Sequence, residues 1–140
     1  MEANIEWKGG MSFETEVEGF KFMLDAHEKV GGQGKGPRPK GLTLASLGGC
    51  TGMDVVSILK KMKVEYNTFN IKVSSEISEE HPKKFTKIVV NYIFEGKDLS
   101  IPKIKKAINL SQERYCGVIA SLKPQVKISS KLIINEEEII

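Results

Sequence analysis

An α+β fold is predicted by three features of the 140-residue sequence. Short stretches of alternating apolar and polar residues lie near the N-terminus, in the middle of the chain and near the C-terminus. Two longer stretches carry helical periodicity instead. The strand stretches come in runs, three and then two, rather than alternating one for one with helices. The order read from the sequence is βββ-α-ββ-α-β, and a chain of this length predicts one domain, 1–140.

Ala3, Ile5 and Trp7 alternate with polar neighbours, and Gly9-Gly10 supplies a two-residue turn. Met11, Phe13, Thr15 and Val17 form the next strand, Glu18-Gly19 turns the chain, and Phe20, Phe22 and Leu24 form the third. Residues 31–41 hold five glycines and two prolines and predict a loop. From Leu42 to Lys63 the apolar residues Leu44, Leu47, Val55, Val56, Ile58, Leu59 and Met62 spread around much of a helix, as expected of one covered on several sides. Gly48, Gly49 and Gly52 inside it each cost about 1 kcal/mol relative to Ala, so they imply close approach by another helix or a ligand.

Phe69, Ile71 and Val73 predict a strand, Glu79 to Lys84 a turn, and Ile88, Val90, Tyr92 and Phe94 a second strand. Ser100 is placed to cap a second helix, with Pro102 in its first turn and an apolar stripe from Ile104 through Ile108, Tyr115, Val118 and Ile119 to Leu122. Pro124 stops that helix. Val126 to Ile134 is the last strand, and Glu136 to Glu138 begin an exposed tail.

Composition narrows the function. The 21 basic residues against 18 acidic ones leave a net charge of only +3, and the lysines are scattered, which argues against nucleic-acid binding. No apolar h-region marks a signal peptide and no uninterrupted apolar run approaches a bilayer span, so neither secretion nor a membrane partner is expected. The cytoplasm is the predicted compartment, where thiols stay reduced. Gly31 to Pro37 matches neither GxxxxGK[ST] nor GxGxxG, and Pro37 and Pro39 lack the N–H donors a phosphate cradle needs. His27 and His81 stand alone in polar surroundings and neither cysteine has a partner at zinc-ligand spacing, so no metal and no cofactor are expected. Met11, Met23, Met53 and Met62 read as packing residues.

The thiols remain. Cys50 lies among Gly48, Gly49, Thr51 and Gly52 in the first helix, and Cys116 lies in Ser111-Gln112-Glu113-Arg114-Tyr115-Cys116-Gly117 on the second. A reactive cysteine must be a thiolate, and Cys50 lies beyond the first turn, where the helix dipole acts. A cation is required. Arg38, just before the helix, is the nearest arginine in sequence and keeps its charge even when buried. Asp54, four residues after Cys50, either shares its face and pairs with Arg38 or faces solvent. Each cysteine also reads as an inert small hydrophobe, and spacing does not choose between the two.

The run Gly36-Pro37-Arg38-Pro39 through Leu42-Thr43-Leu44-Ala45-Ser46-Leu47-Gly48-Gly49-Cys50, with Ser111 through Val118 as a second motif, resembles the OsmC/Ohr family of osmotically inducible and organic hydroperoxide resistance proteins. That resemblance implies an intertwined homodimer with two long central helices packed against sheets. It also implies a thiol-dependent peroxidase acting on organic hydroperoxides, with Cys50 reacting with the peroxide, Cys116 resolving it and an external dithiol as reductant. One position departs from the pattern. Peroxidase members carry a Glu ten positions before the first cysteine, where this chain has Lys40. Asp54 and Glu28 are the candidate replacements for orienting Arg38. The alternative is a non-catalytic dimer whose glycine-lined pocket binds an apolar small molecule.

Overall fold

The computed structural model describes residues 1–140 and is α+β, with two separate sheets. By its internal contacts the chain divides into two compact units, Met1–Thr43 and Leu44–Ile140.

The first unit is an antiparallel meander of β1 (Ala3–Trp7), β2 (Phe13–Val17) and β3 (Phe20–Leu24). Glu18 (φ 51°) and Gly19 (φ 85°) form the predicted two-residue turn between the paired Val17 and Phe20. The β1–β2 connection is longer than expected. Trp7 and Phe13 form its last pair, and Met11 lies in the loop, where the Lys8 and Ser12 amides close the turn. The glycine-rich segment follows a short 3₁₀ turn, Glu28–Val30. It is organised by Asp25, whose carboxylate accepts the N–H groups of Ala26 (2.8 Å), Gln33 (3.0 Å) and Lys35 (3.1 Å). A Cβ on Gly32 or Gly36 would collide with the backbone of Ala26 or Met23, so these two glycines serve close chain approach.

Helix α1 runs Pro39–Lys61. It begins three residues earlier than predicted because Pro39 fits the first helical position, where its missing N–H would be unpaired anyway. In the second unit, β4 (Thr68–Ile77), β5 (Phe85–Glu95), β6 (Lys127–Ile134) and β7 (Glu137–Ile139) make a sheet in that order. β5 and β6 are parallel, and the helical segment between them provides the crossover such a pair requires. Ile88, Val90, Tyr92 and Phe94 alternate inward on β5 and are fully buried, as their period predicts.

α1 buries one stripe rather than several faces: Leu47, Thr51, Val55 and Leu59 have no exposed surface, whereas Met53 is 76% exposed. The close approach expected at its glycines is made by a strand. A Cβ on Gly52 would lie 2.9 Å from Ile71 Cδ1, and one on Gly48 3.0 Å from Val73 Cγ2, both on β4. By length and apolar composition α1 could cross a bilayer; its buried stripe joins the hydrophobic core.

Two further expectations fail. The second helix is not continuous: α2 (Ile101–Leu110) passes into a π-helical turn, Ser111–Tyr115, and Cys116 is extended (ψ 102°) before α3 (Gly117–Leu122). The Cys116 N–H closes that turn on Ser111 O at 2.8 Å. Tyr115, expected in the apolar stripe, is 57% exposed. At the C-terminus the anticipated tail folds back as β7, through a turn at Asn135 (φ 48°) and Glu136 (φ 70°). The Asn135 side chain pins that turn to Gly96, accepting its N–H (3.0 Å) and donating to its C=O (2.9 Å). Ser100 precedes α2 with Pro102 in the first turn, as predicted, but its side chain makes no capping bond.

Candidate functional site

Cys50 is the twelfth residue of α1, three turns from its start, so the helix dipole does not reach it. It is half-buried, and Gly49 beside it has open space where a Cβ would stand. Cys116 is 3% exposed in the break between the π-helical turn and α3. The fold brings the thiols together: Cys50 Sγ, Cys116 Sγ and an Asp54 carboxylate oxygen all lie within 4.8 Å of one another.

Cys116 Sγ accepts the Ile119 N–H (3.4 Å), capping α3. That bond favours the thiolate, yet burial outweighs it and, with a hydrogen bond to Cys50, pushes the Cys116 thiol up to about 11. At neutral pH Cys116 therefore holds its proton.

Beneath the thiols runs a chain of buried hydroxyls. Ser111 Oγ donates to Asp54 Oδ2 at 2.9 Å, and Ser111 also contacts Thr51 Oγ1 (2.8 Å), which contacts Tyr92 Oη (2.7 Å). The Gln112 amide donates to Tyr92 Oη at 3.1 Å. A hydroxyl has one proton. Since Ser111 gives its proton to Asp54, Thr51 must donate to Ser111 and Tyr92 to Thr51. Every donor in the series thus points toward Asp54. Desolvation raises the Tyr92 pKa above 10.0, so this phenol keeps the proton it donates. The close packing of Gly48 and Gly52 on β4 brings α1 near enough to the sheet for Thr51 to reach Tyr92 on β5.

Of the residues nominated from sequence, Cys50, Cys116 and Asp54 meet. Asp54 shares the Cys50 face, which is half of the first of its two predicted placements, and the hydrogen bond its carboxylate accepts comes from Ser111. Arg38, Lys40 and Glu28 belong to the first unit, are exposed, and take no part in the ion pairs of the chain. Arg114 lies on the surface with its guanidinium over the Tyr115 ring at 5.9 Å. Both histidines are exposed, and His27 Nδ1 accepts the Lys29 N–H. Cys50, Asp54 and Cys116 would be the residues to hold a metal ion; three donors are one fewer than closes a structural zinc site. Sequence reasoning missed Thr51, Tyr92, Ser111 and Gln112. One signal was present: Thr51 interrupts an otherwise apolar series at four-residue spacing, Leu47, Val55 and Leu59.

A family model described as OsmC-like protein matches residues 32–131, a span that includes both cysteines and the whole hydroxyl chain. Protein YhfA of Escherichia coli K12 is 36% identical over 130 residues, covering 92% of this chain and 94% of YhfA. A solved structure of a hypothetical protein from Aquifex aeolicus VF5 is 31% identical, with a TM-score of 0.80 over 96% of this chain and 97% of that one. The organic hydroperoxide resistance protein OhrB of Bacillus subtilis shares the fold, with a TM-score of 0.63 at 19% identity over 96% of this chain and 98% of its own. With its two thiols juxtaposed inside the matched span, the chain belongs to the OsmC/Ohr family.

Proposed function

We propose that the protein is a thiol-dependent peroxidase that reduces organic hydroperoxides. The observation that carries this reading is the pair of free thiols with Sγ atoms within 4.8 Å of each other, one half-open and one buried. The names of solved relatives that share its fold support the choice of substrate. The Cys50 thiolate attacks a peroxide oxygen, the O–O bond breaks, and the departing alkoxide leaves as an alcohol, with Cys50 a sulfenic acid. Cys116 displaces that oxygen as water and forms a Cys50–Cys116 disulfide. An external cytoplasmic dithiol then reduces the disulfide by exchange. Arg38 is the cation nominated to favour the Cys50 thiolate.

The working unit in this reading is a homodimer. Its support is the apolar surface that a single chain leaves in water: Phe20 (77% exposed), Met53 (76%), Trp7 (64%) and Tyr115 (57%). Sedimentation velocity at micromolar concentration tests it, and a monomer is the adverse result.

Peptide mapping by mass spectrometry after one equivalent of cumene hydroperoxide tests the chemistry. The expected products are a Cys50–Cys116 disulfide or a Cys50 sulfenic acid, and finding neither refutes the peroxidase. The second reading, a dimer binding an apolar ligand with its thiols inert, is favoured by Lys40 where peroxidase members carry Glu. Cys50 alkylation separates the two: a pH midpoint well below that of free cysteine supports the enzyme, a normal one the binder.

A further inference from the structure

Resolution of a sulfenic acid poses a proton problem at this site. Cys116 must lose a proton as its sulfur attacks Cys50, and the departing oxygen must gain one. Burial keeps Cys116 protonated, so its proton needs an acceptor close at hand. Neither histidine is a candidate, since neither belongs to the cluster of titratable groups around the thiols. Asp54 does belong to it. We infer that Asp54 is the proton carrier of the resolving step, an inference that rests on the peroxidase reading.

Three observations bear on it. An Asp54 carboxylate oxygen lies within 4.8 Å of both sulfurs, a separation that one water, or the oxygen of the sulfenic acid itself, spans with hydrogen bonds. Ser111 holds Oδ2 at 2.9 Å, which fixes the carboxylate beside the two thiols. The hydroxyls behind Ser111 all donate toward Asp54, so the carboxylate is backed by donors with no competing base among them.

The step balances. The Cys116 S–H bond breaks and its proton passes to the Asp54 carboxylate. A Cys116–Cys50 S–S bond forms while the Cys50 S–O bond breaks, its electron pair leaving with oxygen. Asp54 returns the proton to that oxygen, which departs as water. The sulfenic sulfur is reduced, the thiol sulfur is oxidised, and Asp54 ends as it began.

The test compares wild type, Asp54→Asn and Asp54→Glu, each reduced and mixed with one equivalent of cumene hydroperoxide. Aliquots taken over time are quenched into dimedone, and mass spectrometry gives the ratio of Cys50–dimedone adduct to Cys50–Cys116 disulfide. Asn keeps the Ser111 hydrogen bond but cannot take the proton, and general-base catalysis contributes typically about 10²–10⁴-fold. The adduct-to-disulfide ratio is expected to rise at least tenfold in Asp54→Asn and to return toward wild type in Asp54→Glu. A ratio that stays raised in Asp54→Glu, which restores the carboxylate, assigns Asp54 a merely structural role and overturns the inference. An unchanged ratio in Asp54→Asn, with wild type forming disulfide normally, overturns the inference alone. Wild type that yields neither adduct nor disulfide overturns the peroxidase reading and this inference with it.

Discussion

Tyr92→Phe deletes one hydroxyl from the series that ends on Asp54, and its cost reports which way the series runs. With Ser111 donating to Asp54, Thr51 donates to Ser111 and Tyr92 to Thr51. Removing the Tyr92 hydroxyl then leaves every other buried O–H with its acceptor. Gln112, partly exposed, redirects its amide to water. The ring keeps its place, stacked on Phe69 at 6.5 Å and 9°. What is lost is a net hydrogen bond, about 1 kcal/mol. An unfolding entropy of about 2.1 cal/mol/K per residue gives about 0.3 kcal/mol/K for 140 residues, so Tm should fall about 3 °C. Were the series reversed, with a proton on Asp54 passed toward Gln112, the Thr51 hydroxyl would point at Tyr92. Thr51 has no exposed surface, and its orphaned O–H would add about 1–3 kcal/mol, for a fall of about 7–13 °C. Differential scanning calorimetry at neutral pH measures the difference, and a loss above about 7 °C refutes the assigned direction.

Other consequences are as direct. Near neutral pH iodoacetamide should label Cys50 well before Cys116, read by peptide mass spectrometry, because burial holds the Cys116 thiol at about 11. The same raised value favours the folded state below the ordinary thiol value of 9.0, so urea midpoints should decline as pH climbs from there toward 11. Asp25 has the opposite sign. The N–H groups of Gln33 and Ala26 hold its carboxyl below the usual 3.8, so its contribution is present above that value and lost as pH falls through the lower folded one. Asp25→Asn should flatten the acid limb of the urea-midpoint profile. Gly52→Ala places its Cβ against the flexible tip of Ile71, and Gly48→Ala against the stiff Val73. Both gain about 1 kcal/mol of helix propensity, so urea unfolding should find the first near neutral and the second about 1–2 kcal/mol destabilised by overpacking. Dialysis against EDTA should leave peroxide consumption by the wild type intact; its loss would make Cys50, Asp54 and Cys116 a metal centre.

The sheets were legible because period-two alternation states which side is buried, as at Ile88, Val90, Tyr92 and Phe94. Gly48 and Gly52 announced close approach without naming the neighbour, since a missing Cβ accommodates a strand as readily as a helix. The interruption at Cys116 was hidden. The apolar stripe from Ile104 to Leu122 continues through it, and no proline marks the π-helical turn, which closes on a backbone bond to Ser111. β7 was hidden by its charge, because Glu137 and Glu138 read as solvent-facing residues, and they are exposed within the strand. Exposure of Met53 and Tyr115 was illegible for a different reason: periodicity reports that a face is apolar but not whether anything covers it. At the site, the two thiols and Asp54 stood out as reactive residue types. Thr51 and Ser111 did not, because a small hydroxyl residue on a helix is ordinary until its burial is known.

That burial argues about purpose. Thr51, Ser111 and Tyr92 occupy core positions where Val, Ala and Phe would fit the same space, and exchanging a fully paired set of buried polar groups for apolar ones of like shape is often neutral or stabilising. Stability therefore does not account for them. What an apolar trio could not do is hold Asp54. A carboxylate beside two thiols would otherwise turn toward water, away from the sulfurs, since its solvation outside is worth several kcal/mol. Ser111 fixes one of its oxygens, Thr51 fixes Ser111, and Tyr92 ties Thr51 to an inner strand of the sheet, so the rigidity of β5 is transmitted to a side chain on α1. The acid four residues beyond the first thiol is therefore held in place by hydroxyls of the core.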